Sequence, residues 1–355
     1  MKKNPKWLMY AACAMLLGSC HGNPHYSPVK SHHTEDGFRN NYPVPERGSF
    51  WKWQWDRWTK GVPDDPKEGY AFASMKPDVA FLASNRSEPT LTWIGHASFL
   101  VQAGGVNMLT DPIFSERASP VSFAGPKRHV QAMLDMRSLP HVDAVVISHN
   151  HYDHLDLPTV KQLNIQPGGA PRFFVPLGLK QWFGSNGIEN VTELDWWDSA
   201  EFMGLKLTLA PVQHWSSRTP WDRNKTLWGS WVIEQAHMRL FFGGDFGYSP
   251  DLAAIGQHFG NVDLAMLPIG SYEPRWFMSA MHVNPEEAVR AQQDLHARYA
   301  VGMHWGTFRL TDEVLDEPPR KLADAMAQAG VAPERFFVMR HGEMRKLDFL
   351  TPGGQ

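Results

Sequence analysis

The chain runs to 355 residues, 43% hydrophobic and 20% charged, which sets it among folded globular proteins and excludes a disordered polymer. Its net charge of −3 argues against a nucleic-acid partner, which needs a basic face. The length allows one large domain or two ordinary ones, and the 15 tryptophans suit a core, an apolar pocket or a lipid interface.

Lys2, Lys3 and Lys6 lead into "WLMYAACAMLLGS", an apolar run too short to span a bilayer comfortably. A basic front followed by such a run predicts a secretory signal over 1–19. Its end, "LLGSC", resembles the lipobox of bacterial lipoproteins. That resemblance implies lipidation of Cys20, a place in the bacterial cell envelope, and a membrane surface as partner through the anchor. His21, rather than an aspartate, follows the cysteine, which points to the outer membrane. Cleavage after residue 19 removes three lysines and no acid, so the net charge falls from −3 to −6. Cys13 leaves with the signal and Cys20 is acylated. No thiol then remains for a disulfide, a nucleophile or a Cys-held metal. Any metal must be held by histidines and carboxylates.

Residues 20–48 are rich in Pro, Asn, Ser and His without a period, and predict a flexible tether. A Trp-rich extension follows over 49–89. In "FWKWQWDRW", Trp51, Trp55 and Trp58 share one face of a helix, which either packs on the domain or faces lipid. From Thr90 strands and helices alternate to residue 347 without a dividing linker, which predicts one catalytic domain and a short tail over 348–355. "LTWIGHASFLVQAGGVNMLTD" predicts a three-stranded meander. "VDAVVISH", "RFFVP", "VTELD", "LKLTLAPVQH", "WGSWVIE", "MRLFFGGD", "VDLAMLPIG", "YAVGMH" and "RFFVMRHG" follow as strands. "NPEEAVRAQQDLHA" predicts a helix with Asn284 as N-cap, Pro285 in its first turn and Glu287 closing a capping box.

"SHNHYDHLD", residues 148–156, packs three histidines and two aspartates into the loop after a buried strand. A loop there can aim several side chains into one cavity while the sheet holds them rigid. His214 ends "LTLAPVQH", Asp245 ends "RLFFGGD", and His304 ends "YAVGMH". Each is a metal-grade side chain at the C-terminal end of an apolar strand, and imidazoles with carboxylates suit a divalent ion.

"HNHYDH" with these isolated ligands resembles the metallo-β-lactamase superfamily. "WIGHASFLV", "LTDPIFSERASP", "GPKR", "SHNHYDHLD", "FVPLGL", "ELDWW", "QHW", "LWGSW", "GGDFGY", "IGSYEPRWFM", "HVNPEEAV" and "HWGTF" resemble, in order, the N-acylphosphatidylethanolamine-hydrolysing phospholipase D family. The resemblance implies an α/β protein, an αβ/βα four-layer sandwich over 90–347. It implies two zinc ions: one on His149, His151 and His214, the other on Asp153, His154 and His304. Asp245 would bridge both, with a water or hydroxide as the other bridge; iron or manganese fits the same ligands. Asp153 would also orient the hydroxide, and Tyr152 and His282 would stand near the reacting phosphate. The implied substrate is a phospholipid: N-acylphosphatidylethanolamine would give phosphatidic acid and an N-acylethanolamine. Family members form homodimers. Met281 stands where vertebrate members carry Gln, and "GGDF" replaces the commoner "GDTG". His96 supports the site or is structural, and Glu273 and Arg275 read as a structural pair. The rivals are another hydrolase of the same fold, a lactonase or a soluble phosphodiesterase, and a non-catalytic envelope lipoprotein.

Overall fold

Side chains alternate between the two faces of a strand, so one apolar strand can feed two cores at once. This chain uses that property in two sheets. The computed structural model describes residues 22–44 and 48–350. The signal segment and Cys20 lie outside the described residues.

A small hairpin, β1 (His33–Thr34) and β2 (Gly37–Phe38), precedes helices α1 (Phe50–Lys60) and α2 (Val79–Ser84). The first large sheet then forms from β3 (Thr90–Gly95), β4 (Ser98–Ala103), β5 (Val106–Thr110), β6 (Ala144–Val146), β7 (Arg172–Pro176) and β8 (Val191–Leu194). Helices α3 (Leu157–Asn164) and α4 (Leu179–Ser185) lie within this half. β3, β4 and β5 make the predicted antiparallel meander, and β6, β7 and β8 continue the sheet in parallel.

The second sheet holds β9 (Ser199–Phe202), β10 (Leu205–Ala210), β11 (Ser230–Gln235), β12 (Met238–Phe242), β13 (Val262–Pro268), β14 (Ala297–Met303) and β15 (Phe336–Val338). Helices α5 (Asp251–Phe259), α6 (Arg275–Met278), α7 (Pro285–Asp294) and α8 (Glu317–Ala329) belong to this half. The last strand, β16 (Met344–Lys346), returns to pair with β3, so each sheet has seven strands. The predicted capping box of α7 is present: Asn284 accepts from the Glu287 amide, and the Glu287 side chain accepts from that of Asn284.

The alternation is visible on β4. Phe99 and Val101 join the core between the sheets, with Leu207, Trp231 and Phe242 of the facing sheet. Leu100, on the other face, packs in a separate core with Leu82 of α2, Val160 of α3 and Phe183 of α4. On the far side of the second sheet, Leu252, Ala288 and Leu322 of α5, α7 and α8 close the central core. The layers are helix, sheet, sheet, helix, as the αβ/βα sandwich requires. Truncating one of the fully buried aromatics to alanine should cost about 3–5 kcal/mol.

Residues 22–44 are not a free tether. Asp195 accepts from Lys30, from His32 at 2.7 Å and from His33 at 2.9 Å. Asn23 spans the hairpin by donating to the carbonyls of Thr34 and Gly37. Phe38 is buried in the central core. The polar composition suggested solvation, but these side chains are buried hydrogen-bonding groups: Asn23 closes the hairpin locally, and His32 and His33 meet a partner 163 and 162 residues away in the chain. The C-terminal tail is also partly folded, with a 3-10 turn over Asp348–Leu350 and Leu350 buried.

α1 corrects the packing option for its tryptophan face. Trp53 is the residue it buries, stacked on Phe277 at 5.0 Å and donating its indole N–H to Asp312. Trp51, Trp55 and Trp58 are 79%, 61% and 77% exposed. The helix is pinned by its inner face, and the three-tryptophan face points outward.

Candidate metal centre

The loop after β6 delivers His149, His151, Asp153 and His154 from the first sheet. The second sheet delivers His214 beyond β10, Asp245 beyond β12 and His304 at the end of β14. The loops can approach because Gly244 has no side chain. Its φ is +58°, and a Cβ there would sit 2.5 Å from that of Ser148. Gly244 precedes the ligand Asp245 and Ser148 precedes His149, so this glycine sets the contact between two ligand-bearing loops. His96, Asp111 and His304 also take left-handed backbone, with φ of 54°, 31° and 64°. Such strain in non-glycine residues concentrates at functional sites.

The first ligand group is three imidazoles. His149 Nε2 lies 2.8 Å from His151 Nδ1, and His214 Nε2 lies 3.4 Å from the same atom. The outer nitrogens are engaged elsewhere: His149 Nδ1 by Ser148 Oγ at 2.8 Å, and His214 Nδ1 by the Met281 carbonyl at 3.0 Å. The carbonyl can only accept, so His214 carries its proton on Nδ1 and presents a bare Nε2 inward. Burial pushes His149 well below the usual imidazole range and His151 and His214 down to about 3. All three are neutral at pH 7, the form a metal takes.

The second group is a near-equilateral triangle. Asp153 Oδ2 is 3.3 Å from both His154 Nε2 and His304 Nε2, and the two nitrogens are 3.2 Å apart. Asp245 closes it, with one oxygen 3.1 Å from His154 Nε2 and the other 3.1 Å from His304 Nε2. Ligands on a tetrahedral ion with bonds of about 2.0–2.1 Å stand roughly 3.3 Å apart. The triangle has that spacing, and so does one edge of the imidazole group. Burial alone would depress His154, but Asp245 and Asp153 hold it well above its ordinary range; burial is likewise outweighed at His304, raised to about 9. Burial alone would raise Asp153 and Asp245, but the adjacent His154 holds both well below the carboxylate range. The cluster calls for positive charge between its carboxylates. These donors therefore fit a pair of divalent ions.

Two supporting residues escaped assignment or stayed ambiguous in the sequence. Asp111, at the end of β5 in "LTDP", is fully buried and accepts from His154 Nδ1 at 2.7 Å, which turns His154 Nε2 toward the centre. It also accepts from the Ser148 amide at 2.7 Å. The signal was available: Asp111 stands at a strand end, as the other ligand-grade residues do. His96 is no bystander either. Its Nε2 is 2.9 Å from Asp153 Oδ2, and burial pushes it down to about 3, so as a neutral donor it orients that carboxylate.

His282 reaches the rim of the centre. Its Nδ1 is 3.8 Å from Asp245 Oδ2 and has no hydrogen-bond partner among the described residues. Tyr152 points differently: its hydroxyl donates to the Arg218 carbonyl at 2.9 Å, and its ring lies under the Arg218 guanidinium. It lines a neighbouring cavity with Leu157 and Trp182. The Arg275 guanidinium pairs with Glu287 at 2.7 Å instead of the expected Glu273, whose carboxylate accepts from the Arg275 backbone amide, and it donates to the His282 carbonyl. The segment carrying His282 is thus braced from α7.

Across the described residues, a beta-lactamase superfamily domain model matches 106–305. The chain belongs to the metallo-β-lactamase superfamily. Within it, the chain is 42% identical over 266 residues to N-acyl-phosphatidylethanolamine-hydrolyzing phospholipase D 1 of Caenorhabditis elegans, covering 71% of this chain and 74% of the worm protein. The mitochondrial N-acyl-phosphatidylethanolamine-hydrolyzing phospholipase D of Saccharomyces cerevisiae is 36% identical over 264 residues, covering 72% of this chain and 56% of its own. Among solved structures, a metallo hydrolase from Ignicoccus hospitalis superposes with a TM-score of 0.55 at 22% identity, over 73% of this chain and 98% of that one. The superfamily member described here is a metal-dependent hydrolase.

The N-terminal strap reaches this centre. Asn40 Oδ1 accepts from the His214 amide and Asn40 Nδ2 donates to the His214 carbonyl, each at 2.9 Å. One side chain thereby fixes the backbone of one ligand. Asn40→Ala should weaken metal binding at the three-imidazole group by roughly 10–100-fold, the usual cost of losing such support. Competition against a chromophoric chelator measures it. Unchanged affinity would mean that the strap merely packs nearby.

Proposed function

We propose that this hydrolase cleaves the head-group side of N-acylphosphatidylethanolamine-like glycerophospholipids, leaving phosphatidic acid and releasing an N-acylethanolamine, with zinc as its metal. The observation that carries the proposal is the 42% identity to the worm phospholipase D over most of both chains. Divalent ions held by these seven residues would supply a water of lowered pKa and neutralise charge on phosphoryl oxygens. The chain's own residues supply the rest. Asp153 is oriented by His96 and held among three imidazoles, so its carboxylate is already set when substrate arrives. Zinc-loaded protein incubated with mixed phospholipids, followed by mass spectrometry of the released head groups, tests the reading. N-acylethanolamine with matching phosphatidic acid is expected. Release of fatty acid, or no lipid product, would overturn it.

His282 belongs to the same proposal as the group serving the leaving oxygen. His282→Ala should lower kcat on an alkyl phosphodiester by roughly 10²–10⁴ with metal content retained. The loss should be smaller for a nitrophenyl ester, whose leaving group needs no proton. Equal losses on both would assign His282 to the phosphoryl oxygens instead.

Action at a membrane surface is also proposed, through an anchor at Cys20 in the bacterial envelope, on its outer membrane. The exposed Trp51, Trp55 and Trp58 support it, since such rings settle at lipid–water interfaces. Replacing all three with serine should lower partition onto phospholipid vesicles at least tenfold, about 1.4 kcal/mol, without changing thermal stability. Sedimentation with vesicles reads the effect, and unchanged partition would remove the helix from the membrane-facing role.

A further inference from the structure

A second cavity, of about 640 Å³, opens beside the three-imidazole group, with His214 and Trp215 in its lining and the strap residues 39–44 as its outer wall. Its lining includes two arginines, Arg39 and Arg223, and no aspartate or glutamate. Among the described residues neither guanidinium has a carboxylate partner. Arg39 gives its Nε–H to the Ser31 carbonyl, and Arg223 lies over the Trp215 ring at 4.2 Å. Loss of solvent lowers Arg223 from the usual guanidinium range, and no acid offsets it. Two of the lining amide oxygens that could have answered these cations are committed elsewhere: Asn40 Oδ1 accepts from the His214 amide, and Asn224 Oδ1 from the Ser216 amide.

Trp215 connects this cavity to the metal centre. Its ring meets that of His151 edge-on at 4.4 Å, and the Arg223 guanidinium lies over the same ring at 4.2 Å. A planar cation stacked on an indole is held in place while its N–H edge remains free to bind. Such an edge suits an oxyanion, which it can grip through two parallel hydrogen bonds.

We propose that this cavity is an anion-binding subsite, in which Arg223, with Arg39, takes a carboxylate or phosphate carried on the substrate arm that lies beyond the reacting phosphodiester. The proposal rests on the phosphodiesterase reading alone and goes beyond N-acylphosphatidylethanolamine, whose single negative charge is that of the reacting diester, to diesters that carry a further anion. It implies selection for diesters bearing a second negative charge, and it gives the strap a part in substrate choice.

The test compares nitrophenyl phosphodiesters whose other arm is an alkyl chain ending in a carboxylate, a phosphate or a neutral methylamide. None is a glycerolipid, so a failure of the phospholipid assignment leaves the comparison intact. The metal-loaded wild-type protein should favour a charged arm over the neutral one by at least tenfold in kcat/KM. Whether carboxylate or phosphate leads identifies the source of the anion. In Arg223→Gln the charged-to-neutral ratio should fall toward one, with metal content unchanged. A wild-type ratio at or below one, or a ratio unaltered by Arg223→Gln, would overturn the proposal. Calorimetric titration with hexanesulfonate, a poor ligand for divalent metals, needs no turnover. Binding that weakens at least tenfold in Arg223→Gln supports the subsite, and absent or unaltered binding counts against it.

Discussion

Asp153→Asn should keep the fold and lose phosphodiester turnover by roughly 10²–10⁴-fold, the range over which a positioned proton-transfer group contributes. Three imidazoles converge on Asp153 Oδ2: His96 at 2.9 Å, and His154 and His304 at 3.3 Å. The amide has nearly the same volume, so packing changes little. It removes the negative charge, however, and half of its orientations turn an N–H₂ group toward His96, itself a donor. Metal content should fall by the ion held in the Asp153, His154 and His304 triangle. Hydrolysis of bis(4-nitrophenyl) phosphate and elemental analysis of the same sample check both parts. Wild-type rates at full metal occupancy would sink the assigned role.

Removal of metal should lower the melting temperature by roughly 10–20 °C. An ion present at a thousand times its Kd stabilises the folded state by about 4.1 kcal/mol, and two such ions by about twice that. Unfolding entropy of about 2.1 cal/mol/K per residue makes each kcal/mol worth about 1.3 °C in a chain of 355 residues, so the pair of ions is worth about 11 °C, the lower end of that range. The effect should be global rather than local because the ligands come from both sheets. His149, His151, Asp153 and His154 follow β6, whereas His214, Asp245 and His304 follow β10, β12 and β14. A chelator therefore withdraws a cross-link between the two halves as well as leaving the buried Asp153 and Asp245 without an ion between them. Scanning calorimetry with and without chelator decides the matter, and a shift under 2 °C would show that the site is preformed without the metal's help.

What the sequence made legible follows strong local pattern. The ligand set stood out because four apolar strands end in metal-grade residues, one of them in a cluster of four, and the structure gathers the seven side chains within one centre. α7 was readable from its capping box. β9 and β16 were missed for physical reasons. Ser199–Phe202 alternates exposed with half-buried positions and contains no apolar run, and Met344–Lys346 is three residues held by pairing with β3 rather than by its own propensity. The strap was missed because composition reports solvation and not partners. Nothing local in "KSHH" announces that Asp195 waits 162 or more residues further on. Asp111 was the avoidable omission, since its strand-end placement matched the rule applied to its neighbours.

The strap has a consequence for the order in which the molecule is assembled. Asn40 and His214 are 174 residues apart, and His154 meets His304 across 150. Contacts of such long range form late, after the entropy of closing large loops has been met by other interactions. A chain interrupted before β14 lacks a ligand of the second group, and one that has not docked its N-terminal segment holds His214 loosely. Tight uptake of both ions is then a mark of finished folding, available only when the earliest and the latest parts of the described chain have found each other.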